Sequence, residues 1–286
     1  RLYCFKNNDN FLKYLVKKKG KKMFSNKCIN VFFIIYLLLI SPSFSSQLLS
    51  HKATYILNVE NIKNSFLEGG QGQTFFEIQE VCDGWNVRED YVLIYELPNK
   101  KSAKSFSSFT TFENKTSTKH SFQLTEKSDL NGENDYQGFV EKNKKNISGS
   151  MINRNIKKLT FNKNTLFPLE HLKRVIQKAK AGQTIFNADV FFGNEESNPI
   201  KTVSTVISNK RRAKVHNNKN VSAVMVWPIK IAFYSKAENK TSPDYEISLE
   251  LDEVGVVYSY KVDYGDFEVI AKLKDFKVIE KQVCNN

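Results

Sequence analysis

The chain has 286 residues, enough for one large domain or two small ones, and 41% hydrophobic with 13% aromatic side chains admits a packed core. Its formal charge of +13 is unevenly placed: residues 1–45 hold nine Lys/Arg against a single Asp, leaving only +5 for the remainder. The nucleic-acid partner that a pI near 9.4 invites is therefore set aside.

The first feature is residues 31–40, VFFIIYLLLI, preceded by Lys27 and followed by Ser41, Pro42, Ser43, Phe44 and Ser45. Ten apolar residues are short for a bilayer span, which needs about 20. Small residues at 43 and 45 behind a helix-breaking proline are the pattern of a cleaved secretory signal. Met23 is the expected start, with residues 1–22 upstream translation and the mature domain at residues 46–286. An uncleaved anchor is the competing reading. After cleavage the protein is peripheral to the membrane.

Alternation then dominates. Tyr55, Leu57 and Val59 mark a first strand. Residues 61–72, polar and Gly-rich, read as a hairpin connection. Residues 73–81 read as a second strand with Phe76 and Ile78 inward, Asp83-Gly84 as a turn, and residues 85–97 as a third strand ended by Pro98-Asn99-Lys100. Residues 102–112 and 118–126 form a Ser/Thr/Phe-rich pair around Asn114-Lys115. Residues 129–146 read as loosely ordered with a short strand through Tyr136, Gly138 and Val140. Residues 150–160 carry weak strand character.

Residues 166–182, LFPLEHLKRVIQKAKAG, break the pattern. Leu169, Leu172, Val175, Ile176 and Ala179 recur at helical spacing, Pro168 suits the first turn, and Gly182 suits the C-terminal cap. Lys178 and Lys180 complement the helix dipole. This long amphipathic helix is expected on or in the sheet. Strands resume at 184–192 and 201–208. Residues 209–220 read as a basic surface loop. Residues 221–234 are strongly apolar, with Pro228 marking a bulge or an edge. A meander closes the chain: Tyr245, Ile247, Leu249 and Leu251 face one side and Glu246, Ser248, Glu250 and Asp252 the wet side. A turn at 253–255, a strand from Val256 to Val262, a break at Tyr264-Gly265-Asp266, and a strand with Phe267, Val269, Ala271 and Leu273 follow. The fold class is mainly β, one curved antiparallel sheet with one helix.

Chemistry is thinly marked. His51, His120, His171 and His216 are the only histidines, and none stands at metal-ligand spacing with Cys or another His. His171 lies off the apolar stripe and reads as solvated or helix-packing. No Gly-x-Ser-x-Gly elbow or phosphate-binding glycine loop exists, and Gly69-Gly70-Gln71-Gly72 reads as a turn. Asp263, Asp266 and Glu268 flank a turn, where Asp bonds locally, in preference to forming a catalytic pair. Lys210-Arg211-Arg212 reads as solvated in preference to phosphate-binding. Asn114, Asn146, Asn220 and Asn239 stand in Asn-x-Ser/Thr triplets. No catalytic, cofactor or metal residue is assigned. Of the four cysteines, Cys4 and Cys28 precede the cleavage point. Cys82 and Cys284 remain, and a pair in an exported chain reads as a disulfide, with two free thiols as the alternative.

Several stretches in order resemble one family: LSHKATY at 49–55, CDGW at 82–85, TLFPLEHL at 165–172, Trp227-Pro228, PDYE at 243–246, VDYGDF at 262–267 and Cys284. They are similar to the EipB family of alphaproteobacterial periplasmic proteins. The resemblance implies a β-spiral resembling an incomplete barrel, a disulfide falling on Cys82 and Cys284, and a role in envelope integrity without established enzymatic activity. The chain departs from the pattern around residues 129–146 and 209–220. Three functions are carried forward: a periplasmic, non-enzymatic envelope-integrity factor contacting envelope proteins or lipids; a carrier holding a lipid or other apolar ligand in the sheet's hollow; and a hydrolase dependent on His171 or Asp266.

Overall fold

The computed structural model describes residues 48–63, 66–194, 199–213, 224–236, 241–280 and 282–284. The chain divides into residues 1–45 and 46–286. The expected signal segment and start site lie outside the described residues, as do His216, Asn220 and Asn239.

Among the described residues fifteen strands form one antiparallel sheet. The first eight are β1 (His51–Glu60), β2 (Gly69–Glu80), β3 (Gly84–Leu97), β4 (Lys101–Asn114), β5 (Lys119–Ser128), β6 (Gly132–Lys142), β7 (Asn146–Ile152) and β8 (Ile156–Asn162). After the helix α1 (Pro168–Lys180) come β9 (Ile185–Phe191), β10 (Ile200–Ile207), β11 (Arg211–Arg212), β12 (Met225–Ser235), β13 (Tyr245–Leu251), β14 (Val257–Asp263) and β15 (Glu268–Val278). Neighbours run β8-β7-β6-β5-β4-β3-β2-β1-β15-β14-β13-β12-β10-β9, with β11 paired to β12. The first and last strands are therefore partners at the middle of the sheet. The free edges, β8 and β9, are consecutive strands that do not pair, so the sheet curls without closing into a barrel. Edge β8 carries Lys157 and Lys158, charges that discourage pairing with another chain. Edge β9 is partly covered by a parallel bridge from Leu166 to Val190.

Inward faces follow the alternation: Ala53, Tyr55, Leu57 and Val59 are buried on β1 and pack with Val269, Ala271 and Leu273 of β15. Small Ala271 stands in register between Leu57 of β1 and Tyr260 of β14, and Tyr260 reaches across β15 and β1 to donate to Thr74 Oγ1 on β2 at 3.2 Å.

The helix closes one end of the spiral. Leu169, Val175, Ile176 and Ala179 pack against Ile78, Trp85, Ile207, Trp227, Ile229 and Leu251 from both limbs of the sheet. It is 13 residues long, shorter than the 17 its sequence pattern spans. Leu166 is taken into the sheet, donating its N–H to Asp189 O and accepting from Phe191 N, both at 2.9 Å. Phe167, which precedes proline, stays extended at ψ 160°. No side chain at the helix start caps it. Instead Glu113 of β4 accepts Leu169 N–H at 3.0 Å, an anion at the positive end of the dipole.

Four expectations need correction. Within residues 129–146 the strand through Tyr136, Gly138 and Val140 is not short but runs the eleven residues Gly132–Lys142 as β6, and residues 146–162 are the hairpin of β7 and β8. Inward Tyr136 and Val140 join Ile147, Met151 and Leu159 in a core around Phe167 and Phe191, so tertiary packing overrides weak local propensity. Gly69 to Gly72 are not a turn but the start of β2. A Cβ at Gly72 would lie 2.1 Å from Val92 O, so the close approach of β2 to β3 demands glycine there. Asp252 is not on a wet face: it is buried and accepts from Val254 N (3.0 Å), Val256 N (2.8 Å) and Tyr258 Oη (3.0 Å). Glu250 is likewise buried, under Arg211 at 2.6 Å. Pro228 makes no bulge. It stands where β10 ends and β11 begins, its carbonyl accepting Ser208 N at 2.9 Å, and its missing N–H faces that gap.

Candidate functional site

The helix fills one end of the spiral; the other end is open. There a hollow of about 1000 Å³ is lined from β1 through β6, from β8 and from β13 to β15. Its walls are apolar at Leu57, Leu93, Phe109, Leu124, Ile247, Val262 and Val269, and phenolic at Tyr91, Tyr95, Tyr245, Tyr260 and Tyr264. Glu89, Glu126 and Lys157 also line it. The mouth carries a run of rings in contact: Phe233 on Tyr245 at 4.5 Å, Tyr245 beside Tyr264 at 6.1 Å, Tyr264 beside Phe267 at 5.1 Å, and Phe267 edge-on to Tyr95 at 6.3 Å. Such offset and edge contacts hold large side chains in fixed orientations at little entropic cost.

Burial pushes the lining phenols up. Tyr264 is raised to about 12, and Tyr91 and Tyr260 rise further, Glu89 adding to the shift in each. All are neutral donors at any ordinary pH. Glu89, exposed within the hollow, is raised too, first by its apolar surroundings and then by Asp90. Asp90 itself points to the outer face, where Arg88 Nε (2.8 Å) and Ser108 Oγ (2.6 Å) hold it.

The residues singled out in the sequence are scattered. His171 is buried on α1, stacked on Phe186 at 5.6 Å, and burial lowers it to about 4; it packs the helix and does not line the hollow. His120 is buried against Phe167, and His51 Nδ1 donates to Leu49 O at 2.8 Å. Among the described residues no histidine ring is bonded to a carboxylate, and no group of His, Cys, Asp and Glu has metal-binding geometry.

Asp263 accepts Gly265 N at 2.8 Å within the β14–β15 turn, whose Gly265 has φ +87°. Glu268 is held by Lys261 and Asn61, bonds that lower its pKa, and Asp266 is exposed at the turn. These carboxylates shape a turn. Lys210 binds Glu253 at 3.0 Å and lies 4.6 Å from the Trp227 ring centre, and Arg211 binds Glu250. Residues 211–212 are thus a short strand, with Lys210 and Arg211 ion-paired and Arg212 exposed. Asn114 closes the β4–β5 turn by accepting Thr118 N at 2.8 Å, and Asn146 begins β7. Cys82, after β2, and Cys284, beyond β15, bring their Sγ atoms to 2.13 Å with Cα atoms 5.6 Å apart.

Sequence reasoning missed Glu89 and the lining tyrosines. Their signal was present: Glu89, Tyr91, Leu93 and Tyr95 share one parity on β3, so a carboxylate falls on the face that carries the apolar side chains.

Comparison with known proteins gives a consistent picture. The family model described as EipB-like matches residues 43–280. The chain is 26% identical over 244 residues to a protein of Brucella abortus named cell envelope integrity protein EipB, covering 82% of this chain and 85% of that one. It also superposes on the crystal structure of a beta-barrel-like protein, of a domain of unknown function, from Brucella abortus. There the TM-score is 0.75 at 21% identity, over 82% of this chain and 99% of that one.

Proposed function

The chain belongs to the EipB-like family, and from that premise we propose that it is a periplasmic, non-enzymatic cell-envelope integrity protein acting through protein or envelope contacts. The observation that carries this reading is the likeness to the Brucella abortus protein of that name. Export through the segment at 31–40 and a disulfide between Cys82 and Cys284 belong to the same reading, since an oxidising compartment lets such a bridge persist. The test is complementation. A strain lacking its own relative, challenged with detergent and with a cell-wall antibiotic, is expected to recover with the whole chain and not with residues 46–286 kept in the cytoplasm. Equal rescue by the unexported form overturns the assignment.

A second reading has one specific support. The open hollow, with its apolar and phenolic walls, suits a carrier whose cargo enters the mouth. Native mass spectrometry of protein purified from its own compartment is expected to show a retained small molecule, lost on unfolding.

A further inference from the structure

The outer face of the sheet carries a groove of its own, turned away from the hollow. On β5 the buried side chains are His120, Phe122 and Leu124, and on β6 Tyr136 and Val140, so the residues between them face outward. Register sets these in two adjoining rows. One runs Arg88, Thr110, Gln123, Gln137 and Ile152 from β3 to β7. The other runs Asn86, Phe112, Ser121 and Phe139 from β3 to β6. With Gln79 of β2 they line a space of about 640 Å³. At about 4.8 Å between neighbouring strands the longer row extends about 20 Å.

The lining is unusual for this chain. The sequence holds 43 Lys and Arg, yet among the described residues no lysine lines the groove. Its two charged members are already matched, Glu77 by Lys52 at 3.0 Å and Arg88 by Asp90 at 2.8 Å. Its amides and hydroxyls are not: among the described residues no hydrogen bond engages the side chains of Gln79, Asn86, Thr110, Ser121, Gln123 or Gln137. An amide both donates and accepts, as a sugar hydroxyl does. Phe139, 56% exposed, offers a ring on which the apolar C–H face of a sugar can pack. Strands β2 to β7 are each paired on both sides, so no backbone edge is free to take a peptide strand. An apolar chain would cover the amides and leave them unbonded.

We propose that this groove binds an uncharged glycan segment, with Asn86, Gln123 and Gln137 bonding its hydroxyls and one sugar ring stacked on Phe139. A neutral groove complements a neutral ligand, and the site is independent of the hollow.

The test is calorimetric titration of the oxidised chain with chitotetraose, cellotetraose and tetragalacturonate. The two uncharged sugars are expected to bind saturably and tetragalacturonate to give no saturable heat. Phe139→Ala and the double variant Gln123→Ala with Gln137→Ala, all at exposed positions outside the core, are each expected to weaken binding at least fivefold. Ile94→Ala, exposed on the same strand β3 but outside the groove, is expected to leave it unchanged. Tighter binding of chitotetraose identifies acetamido sugars as the source, and equal or tighter binding of cellotetraose identifies recognition of hydroxyls alone. Tetragalacturonate binding as tight as the neutral sugars overturns the inference, as does silence from all three. Binding indifferent to both groove variants overturns the placement. Concentration-dependent dimerisation in light scattering, abolished by Phe139→Ala, overturns the inference and assigns the face to a second copy of the chain.

Discussion

Replacing His120 with Leu should change the acid stability of this protein more than its neutral stability. His120 is 2% exposed, stacked on Phe167 at 5.2 Å and Phe122 at 6.0 Å. Neither ring nitrogen has a hydrogen-bond partner. Burial lowers its pKa from 6.5 to about 3. In the unfolded chain the ring takes a proton near pH 6.5, while in the fold it refuses one until about pH 3. Stability tied to the neutral ring is therefore complete above pH 6.5 and lost as pH falls toward 3. At 1.36 kcal/mol per unit the whole loss is about 5 kcal/mol, of which about 3 kcal/mol is gone by pH 4. Leucine has no proton to take. At pH 7 it should be near neutral, because relief of two unbonded nitrogens, about 1 kcal/mol or more each, offsets lost ring stacking. Urea unfolding followed by the fluorescence of Trp85 and Trp227, at pH 7 and pH 4, measures both. The other histidines titrate in both proteins and cancel in the difference. The variant should gain about 3 kcal/mol on wild type between the two conditions. Parallel losses would show that His120 is protonated or hydrated in the folded state, and the account of that core would be wrong.

Glu113, 2% exposed, moves the other way. Burial raises it to about 6 from 4.5, so wild type loses stability as pH rises through that window, and Glu113→Gln should gain about 2 kcal/mol on it between pH 4 and pH 7.5. A flat difference would show that burial does not raise the Glu113 carboxyl in the fold. Reducing the Cys82–Cys284 bridge, which closes a separation of 202 residues, should lower stability by about 2–5 kcal/mol; intact mass of unreduced protein should be two protons lighter, and two alkylatable thiols there would refute the bridge. Lys201, buried, meets Asp244 and Ser235 Oγ, each at 3.1 Å, and Asp244→Ala should cost about 1–3 kcal/mol in the same unfolding assay by removing a counter-charge of that ammonium. A loss under 1 kcal/mol would mean the lysine finds water.

Most of the architecture was legible because it rests on period. Tyr55-Leu57-Val59 and Tyr245 to Leu251 state their inward faces directly, and the 169–179 stripe states a helix among strands. What escaped depends on the neighbouring strand and not on the segment's own residues. β6 holds only Tyr136 and Val140 as apolar inward residues, and the ladder to β5 makes it a strand. Gly72 looks like a turn until Val92 O lies beside it. The hollow escaped for a deeper reason. The parity that aims Glu89 inward was readable, but whether that inside is filled or empty depends on how tightly the sheet curls and how far α1 reaches.

The pairing of β1 with β15 also dictates a timetable. On a ribosome His51–Glu60 is made early, and one flank of it must wait for some two hundred further residues before its mate exists. Every hairpin from β2 to β8 can assemble locally meanwhile, yet the seam at the centre stays open until β15 has been made. Long-range closure of this kind is slow. A rearranged gene, with β15 fused to β1 and new ends cut between β8 and α1, would make every ladder in the main sheet sequential and should fold measurably faster into the same spiral.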